Sequence, residues 1–190
     1  MGPLLSQDLK SSGMTIWNGW LFDGLMFMAT YLGAVQVAAQ TIIRSIALLT
    51  FMMAAGYAYA SKIFIGLCVG AGKHQAAKMY YCVSLTAGLT AISIIVVLEY
   101  FFRDWVIEQY THQEDIFSTI VSVWPIFMVY QLLTIFDDNG SAVIKGTGKQ
   151  GLGLILNTFS TLLLAIPVAL YATFKLDWGL RGIWFGPVCQ

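Results

Sequence analysis

Charge is what this chain has least of. Asp, Glu, Lys and Arg make up 11% of its 190 residues, against roughly a quarter in an ordinary soluble domain. Ten basic residues balance ten acidic ones, so there is no basic excess to hold nucleic acid and no acidic tail to act as a solubiliser. Cysteine is scarce and odd in number. Cys68, Cys82 and Cys189 lie too far apart in sequence for a disulfide framework or a paired zinc motif and read as small apolar packing residues. Histidine is scarcer still. His74 and His112 fall in loops expected on opposite sides of a membrane, so they cannot share a metal or a catalytic site. No Ser, His and Asp set lies on one side at one depth, and the chain is not expected to be an enzyme or to need a cofactor. The run Gly146-Thr147-Gly148-Lys149 lacks the spacing of a phosphate-binding loop and reads as a tight cytoplasmic turn.

What is abundant is apolar surface, 58% of residues. Crossing a ~30 Å hydrocarbon core takes about 20 mostly apolar residues in a helix. Five stretches qualify, at 16–37, 41–69, 80–102, 118–144 and 154–174. A sixth begins near 179, but 12 residues to Gln190 reach only ~18 Å. A chain ending there would leave a carboxylate in lipid, at a cost of at least ~2.5 to 3.5 kcal/mol, so the sequence is expected to be a piece of a longer one. The fold class expected is all-α, a polytopic membrane helix bundle. Residues 1–14 are polar and read as a cytoplasmic loop or tail, with 15–190 as the bundle. With that end cytoplasmic, Lys10, Lys62, Lys73, Lys78, Lys145 and Lys149 fall inside, and Arg44, Arg103, Lys175 and Arg181 fall outside, a mild positive-inside bias. Glu99, Asp104, Glu108, Glu114, Asp115 and Asp177 all fall on the far side.

Within the spans, Gly33, Gly56, Gly66, Gly70 and Gly88 suggest closely packed helices. Trp17, Trp105 and Trp178 read as interfacial belt residues. Trp20 and Trp124 lie deeper and either pack or line a cavity that holds a cation against aromatic faces.

Ionisable residues inside a span suggest function, because lipid penalises them. Asp23 lies about ten ångströms into the first span, with no Lys or Arg one turn away on its own helix. It is the leading candidate to bind and release a proton or cation. Asp137 and Asp138 lie deep in the fourth span before Asn139-Gly140, a sequence able to loosen a helix or line a vestibule. Neighbours on a helix point about 100° apart, so the two cannot both serve one site, and one can snorkel to the interface. Asp23 and Asp138 could also be drawn as the pair of an intramembrane protease, a reading nothing else supports.

The residues then carry a resemblance. Leu32-Gly33, Ala39-Gln40, Gly56, Ala60-Ser61 and Gly70-Ala71-Gly72, followed by Trp124-Pro125, Lys145-Gly146-Thr147-Gly148-Lys149-Gln150, Asn157, Pro167, Gly179, Gly182 and Trp184, resemble the multidrug and toxic compound extrusion (MATE) family in residue type and spacing. The resemblance implies twelve helices in two six-helix lobes and transport by alternating access, with this chain as the second lobe, truncated in its last helix. It matches Asp23 to an acidic position of helix seven linked to proton and organic-cation binding. Ser45 and Thr134 stand where acidic residues are common in the family, and Phe64 and Leu67 stand at positions usually Arg and Asn. Asp138 lies one turn beyond Thr134 and could replace the missing carboxylate. Thr134, Ser45, Gln40, Trp20 and Trp124 are the expected substrate-cavity residues.

The implied activity is secondary antiport of an organic cation, drug or metabolite against protons, or sodium, driven by the ion gradient alone. Its implied partners are the lipid bilayer, the substrate and an N-terminal lobe of the same chain, in a plasma, vacuolar or other endomembrane. Two rivals are a lipid or oligosaccharide flippase of the same superfamily, which should have a more basic cavity, and a truncated lobe acting as a membrane scaffold.

Overall fold

The computed structural model describes the backbone of residues 2–190 and the side chains of Leu9, 11–13, Ile16 and 19–190. The belt residue Trp17 and the flanking charge Lys10 lie outside the described side chains. The chain folds as helices α1 (Gly2–Leu32), α2 (Ala34–Gly70), α3 (His74–Phe101), α4 (Arg103–Glu108), α5 (Glu114–Gly146), α6 (Gln150–Ser160), α7 (Ile166–Phe174) and α8 (Leu180–Val188). A π-helical turn, Thr161–Ala165, joins α6 to α7. Among the described residues there is no strand.

Among the described residues, four helices are long and apolar enough to cross a membrane: α2, α3, α5 and the continuous Gln150–Phe174 unit. Their centres match the expected spans, and the ends differ for identifiable reasons. Residues 2–14, expected as a loop, continue α1 as helix. Pro3 is tolerated in a first turn, no later residue up to Leu32 forces a break, and Gly13 lies against Leu154 so that this segment rests on α6. The first span ends at Leu32 rather than 37, because Gly33 takes φ +117° and reverses the chain in a single residue. α2 therefore starts at Ala34 and runs 37 residues, ~55 Å, antiparallel to α1. The π-helical turn just precedes Pro167, which has no N–H to donate and whose ring crowds the preceding turn, so the ladder widens there. α8 spans nine residues, ~14 Å.

α2 and α5 form the centre. α1, α3 and α8 flank them, and α7 packs on α8. The larger core gathers Trp124, Phe127 and Trp184 with Leu25, Ile43, Ile120 and Ile183, all fully buried. Trp184 is edge-on to Phe127 and Tyr130, at centroid distances of 5.3 and 5.5 Å. A smaller core of Ala54, Ile92, Val96 and Ile135 seals α3 to α2 and α5. Glycines set how closely these helices approach, though not always the expected ones. A Cβ on Gly88 would meet Ile135, and Gly66 touches the backbone of Gly146. Gly56 and Gly70 face open space in this bundle, so they bring no described helix closer. The tightest contacts are Gly182 and Gly186 of α8 against the backbone of α7 and of the π-helical turn, a small-x-x-x-small face.

Candidate ion-coupling site

Asp23 sits ten residues before the Gly33 reversal and Arg44 eleven residues after it. Folding α1 back along α2 brings them together. Arg44 donates from both Nη1 and Nη2 to Asp23 Oδ1, each at 3.1 Å. The expectation that Asp23 lacks a neutralising cation holds along its own helix and fails across the hairpin. Both side chains stay open in this lobe, with relative exposures of 57% for Asp23 and 41% for Arg44. Because both donors converge on one oxygen, Oδ2 takes no part in the pairing. In water a pair this open contributes about 0–1 kcal/mol. In lipid it also makes two charges tolerable in mid-helix.

The second carboxylate group lies on another helix. Asp137 is exposed and Asp138 half-buried on α5. Lys145, two turns further along, acts electrostatically on both and is itself near Lys62 of α2. Asp138 Oδ2 is buried without a hydrogen-bond partner. Neighbouring Asn139 turns inward instead: its Nδ2 donates to Ile135 O at 2.9 Å, and its Oδ1 lies 2.9 Å from Ser84 Oγ, which also reaches Tyr57 O at 3.0 Å. That network ties α2, α3 and α5 together around a fully buried amide. Asp23 and Asp138 thus have separate charged partners and do not form one pair, which removes the geometric basis of the protease reading.

The expected cavity residues divide. Trp20 is exposed, as is Ser45, whose hydroxyl donates to Thr41 O. Thr134 is half-buried and donates to Tyr130 O at 3.0 Å. Gln40 and Trp124 line nothing open: Gln40 is fully buried and Trp124 is 1% exposed. Gln40 Oε1 accepts the indole N–H of Trp184 at 2.7 Å, and Trp124 packs edge-on to Phe127. Both belong to the core because α8 closes over them, and of its two readings Trp124 takes packing. The described belt residues Trp105 and Trp178 are exposed.

One carboxylate stands, by sequence, only among the flanking charges. Glu99, two residues before the end of α3, accepts a hydrogen bond from Gln131 Nε2 of α5 at 2.7 Å and from Thr50 Oγ1 of α2 at 3.1 Å. Thr50 and Gln131 are both buried. The signal for it was a Glu closing an otherwise uncharged run from 79 to 98.

Comparison with known proteins places this arrangement. The family model described as MatE matches residues 14–171. An uncharacterized transporter of Schizosaccharomyces pombe is 28% identical over 185 residues, which is 97% of this chain and 34% of the relative. Human multidrug and toxin extrusion protein 1 is 28% identical over 178 residues, 94% of the chain and 31% of the relative. Mouse multidrug and toxin extrusion protein 2 is 30% identical over 179 residues, with the same two shares. The chain spans about a third of the length of these relatives. Among solved structures, a Vibrio cholerae MATE transporter superposes with a TM-score of 0.90 at 18% identity, covering 98% of this chain and 42% of that one. A MATE in the bent conformation superposes at 0.86 with 25% identity, covering 95% and 40%. With more than three quarters of its length inside the family model and its helices laid out as in these transporters, the chain belongs to the MatE family of integral membrane proteins.

Proposed function

We propose that this chain is one lobe of a secondary antiporter that exports organic cations in exchange for protons by alternating access. The second lobe would come from the part of the relatives that this chain does not cover. The plasma membrane or a vacuolar membrane would suit such export.

The observation that carries the reading is the Asp23–Arg44 pair. Asp23 is a mid-helix carboxylate held through one oxygen by a guanidinium tethered to the next helix. Such a group can exchange partners. A cationic substrate in a partly dehydrated cavity would compete with Arg44 for the carboxylate, and a proton arriving from the far side would displace either. Arg44 acts in this scheme as an internal stand-in that keeps Asp23 neutralised between cycles. The driving force is modest, since one charge falling through 100 mV supplies ~2.3 kcal/mol, and a loosely held pair suits it better than a deeply buried one. The human and mouse relatives named as multidrug and toxin extrusion proteins support a broad substrate class of drugs and toxins.

The test is Asp23→Asn in the full-length transporter. Proton-driven efflux of an organic cation should be lost while the protein reaches the membrane at its usual level. Efflux that keeps its dependence on the proton gradient in that variant would refute the reading.

A further inference from the structure

The Asp23 scheme makes no use of Glu99, and the surroundings of Glu99 are unlike those of any other described carboxylate here. Three helices converge on it, and each partner offers something different. Thr50 of α2 donates to Oε1 at 3.1 Å, and Gln131 of α5 donates to Oε2 at 2.7 Å. Among the described residues no cation pairs with it. Arg103, the first residue of α4, follows four residues later in the chain, but it donates to Asp104 at 2.7 Å. On α2 the nearest charge is Arg44, which is held by Asp23. On α5 the nearest is Asp137, six residues from Gln131. Glu99 is therefore an anion solvated by two neutral donors rather than neutralised by a charge.

The other end of the Gln131 amide is the second observation. Gln131 is 4% exposed, and its Oε1 is buried with no hydrogen-bond partner. A buried amide carbonyl without a donor is costly and calls for a reason. Thr50 likewise has a second acceptor in reach, since its hydroxyl lies 3.5 Å from Ile46 O.

We propose that Glu99, Gln131 and Thr50 form a proton-binding site at the junction of α2, α3 and α5. In the ionised state the geometry is the one seen, with both neighbours donating to the carboxylate. When a proton binds at Oε2, that oxygen becomes a donor and can no longer face the amide NH2. A half-turn of the Gln131 amide presents Oε1 to accept the new O–H, and the Thr50 hydroxyl turns back to Ile46 O. No atom other than the proton is gained. The amide has one unpaired end in both states, so the flip exchanges an orphan oxygen for an orphan N–H, which keeps the two states close in free energy. Since the three partners sit on three helices, the protonation state is read directly by their packing. The site lies within two residues of the end of α3, which gives protons a short path. This deepens the antiport reading and rests on it for its transport arm only.

The test uses the purified full-length transporter. Infrared difference spectra between neutral and acidic pH report the carbonyl band of each carboxylic acid formed. Glu99→Gln should remove one component of that band, and Gln131→Leu, which keeps the carboxyl group but removes its acceptor, should shift the same component. Unchanged spectra in both variants overturn the site. In proteoliposomes, loss of one transported proton lowers the substrate accumulation ratio about tenfold per unit of imposed pH gradient, and Glu99→Gln should show that drop. A full accumulation ratio in Glu99→Gln overturns the role of the site in coupling. If the unsubstituted protein shows the Glu99 band but no proton-driven accumulation, the site stands and the antiport reading is what fails.

Discussion

Gly182→Ala is the sharpest test of the packing. A methyl group there would lie 2.5 Å from Thr173 N, 2.6 Å from Ala172 C and 2.8 Å from Thr173 Cα. All three neighbours are backbone atoms, so no rotamer change relieves the clash. Ordinary contact requires α8 to withdraw by about 1 Å, and overpacking of this kind costs about 1–3 kcal/mol. The withdrawal has a second consequence, because Trp184 sits on the same short helix and donates to Gln40 at 2.7 Å. Moving it by that amount takes the bond past the ~3.2 Å limit of a good N–H···O contact. An unmet buried indole N–H and amide oxygen add about 1–3 kcal/mol. The two costs overlap, and together they give a destabilisation of about 2–5 kcal/mol. Thermal unfolding of the detergent-purified transporter, followed by the loss of its monodisperse peak, should show a midpoint lower by roughly 2–4 °C. Gly70→Ala is the control, since a Cβ there meets nothing within 4 Å, and its effect should stay within about 0.5 kcal/mol. If Gly182→Ala melts together with Gly70→Ala, α8 does not approach α7 this closely and the account of the Trp184 core is wrong.

Two smaller effects follow from the same contacts. At the other crossing, a Cβ on Gly146 would lie 3.0 Å from Lys62 O and 3.2 Å from Ile65 Cγ2, a shortfall of a few tenths of an ångström. Gly146→Ala should therefore cost only about 1 kcal/mol, measured by the same melt, and a loss as large as that of Gly182→Ala would contradict it. Gln40→Leu strands the Trp184 indole N–H but also removes Gln40 Nε2, itself buried without a partner. The net cost should lie near the low end of about 1–3 kcal/mol, with a change in tryptophan emission as the second readout. An unchanged spectrum and melt would mean that the indole has another acceptor.

How much of this was legible in the sequence depended on the range of the interaction. The centres of α2, α3, α5 and the α6–α7 unit follow from apolar runs, because a continuous run of about 20 such residues is a local property. The ends were harder: a glycine is compatible with continuing or reversing a helix, and only the structure places Gly33 at φ +117°. Polar residues 2–14 join α1 because polarity by itself does not end a helix. The partners of the charged groups were invisible for another reason. Arg44 is 21 residues from Asp23, and Thr50 and Gln131 are 49 and 32 residues from Glu99, separations that no helical periodicity connects. The first of these could have been found, since Asp23 and Arg44 are almost equally far from Gly33 and a hairpin read at that glycine pairs them. The second could not, because it requires the relative tilt of three helices. Gln40 shows the converse: its partner, Trp184, lies 144 positions away, so nothing local distinguishes a core amide from a cavity residue.

The described intramembrane carboxylates are neutralised in different ways, and the difference bears on what each can do. Asp23 has a full counter-charge in Arg44. Protonating it strands a guanidinium, which is unfavourable in a medium of low dielectric unless another anion or water receives it. A substrate cation that takes Asp23 frees the same guanidinium, so either exchange needs a new partner for Arg44. Glu99 has only dipoles around it. Protonating it strands no charge, and the cost is confined to turning one amide and one hydroxyl. Asp137 and Asp138 share the field of Lys145, itself opposed by Lys62, so the four formal charges cancel. Under the proposed antiport Asp23 would pass between Arg44, substrate and proton while Glu99 would hold a further proton, and the helix that joins them is α2, which contributes Arg44 to the first site and Thr50 to the second, six residues apart on one continuous rod.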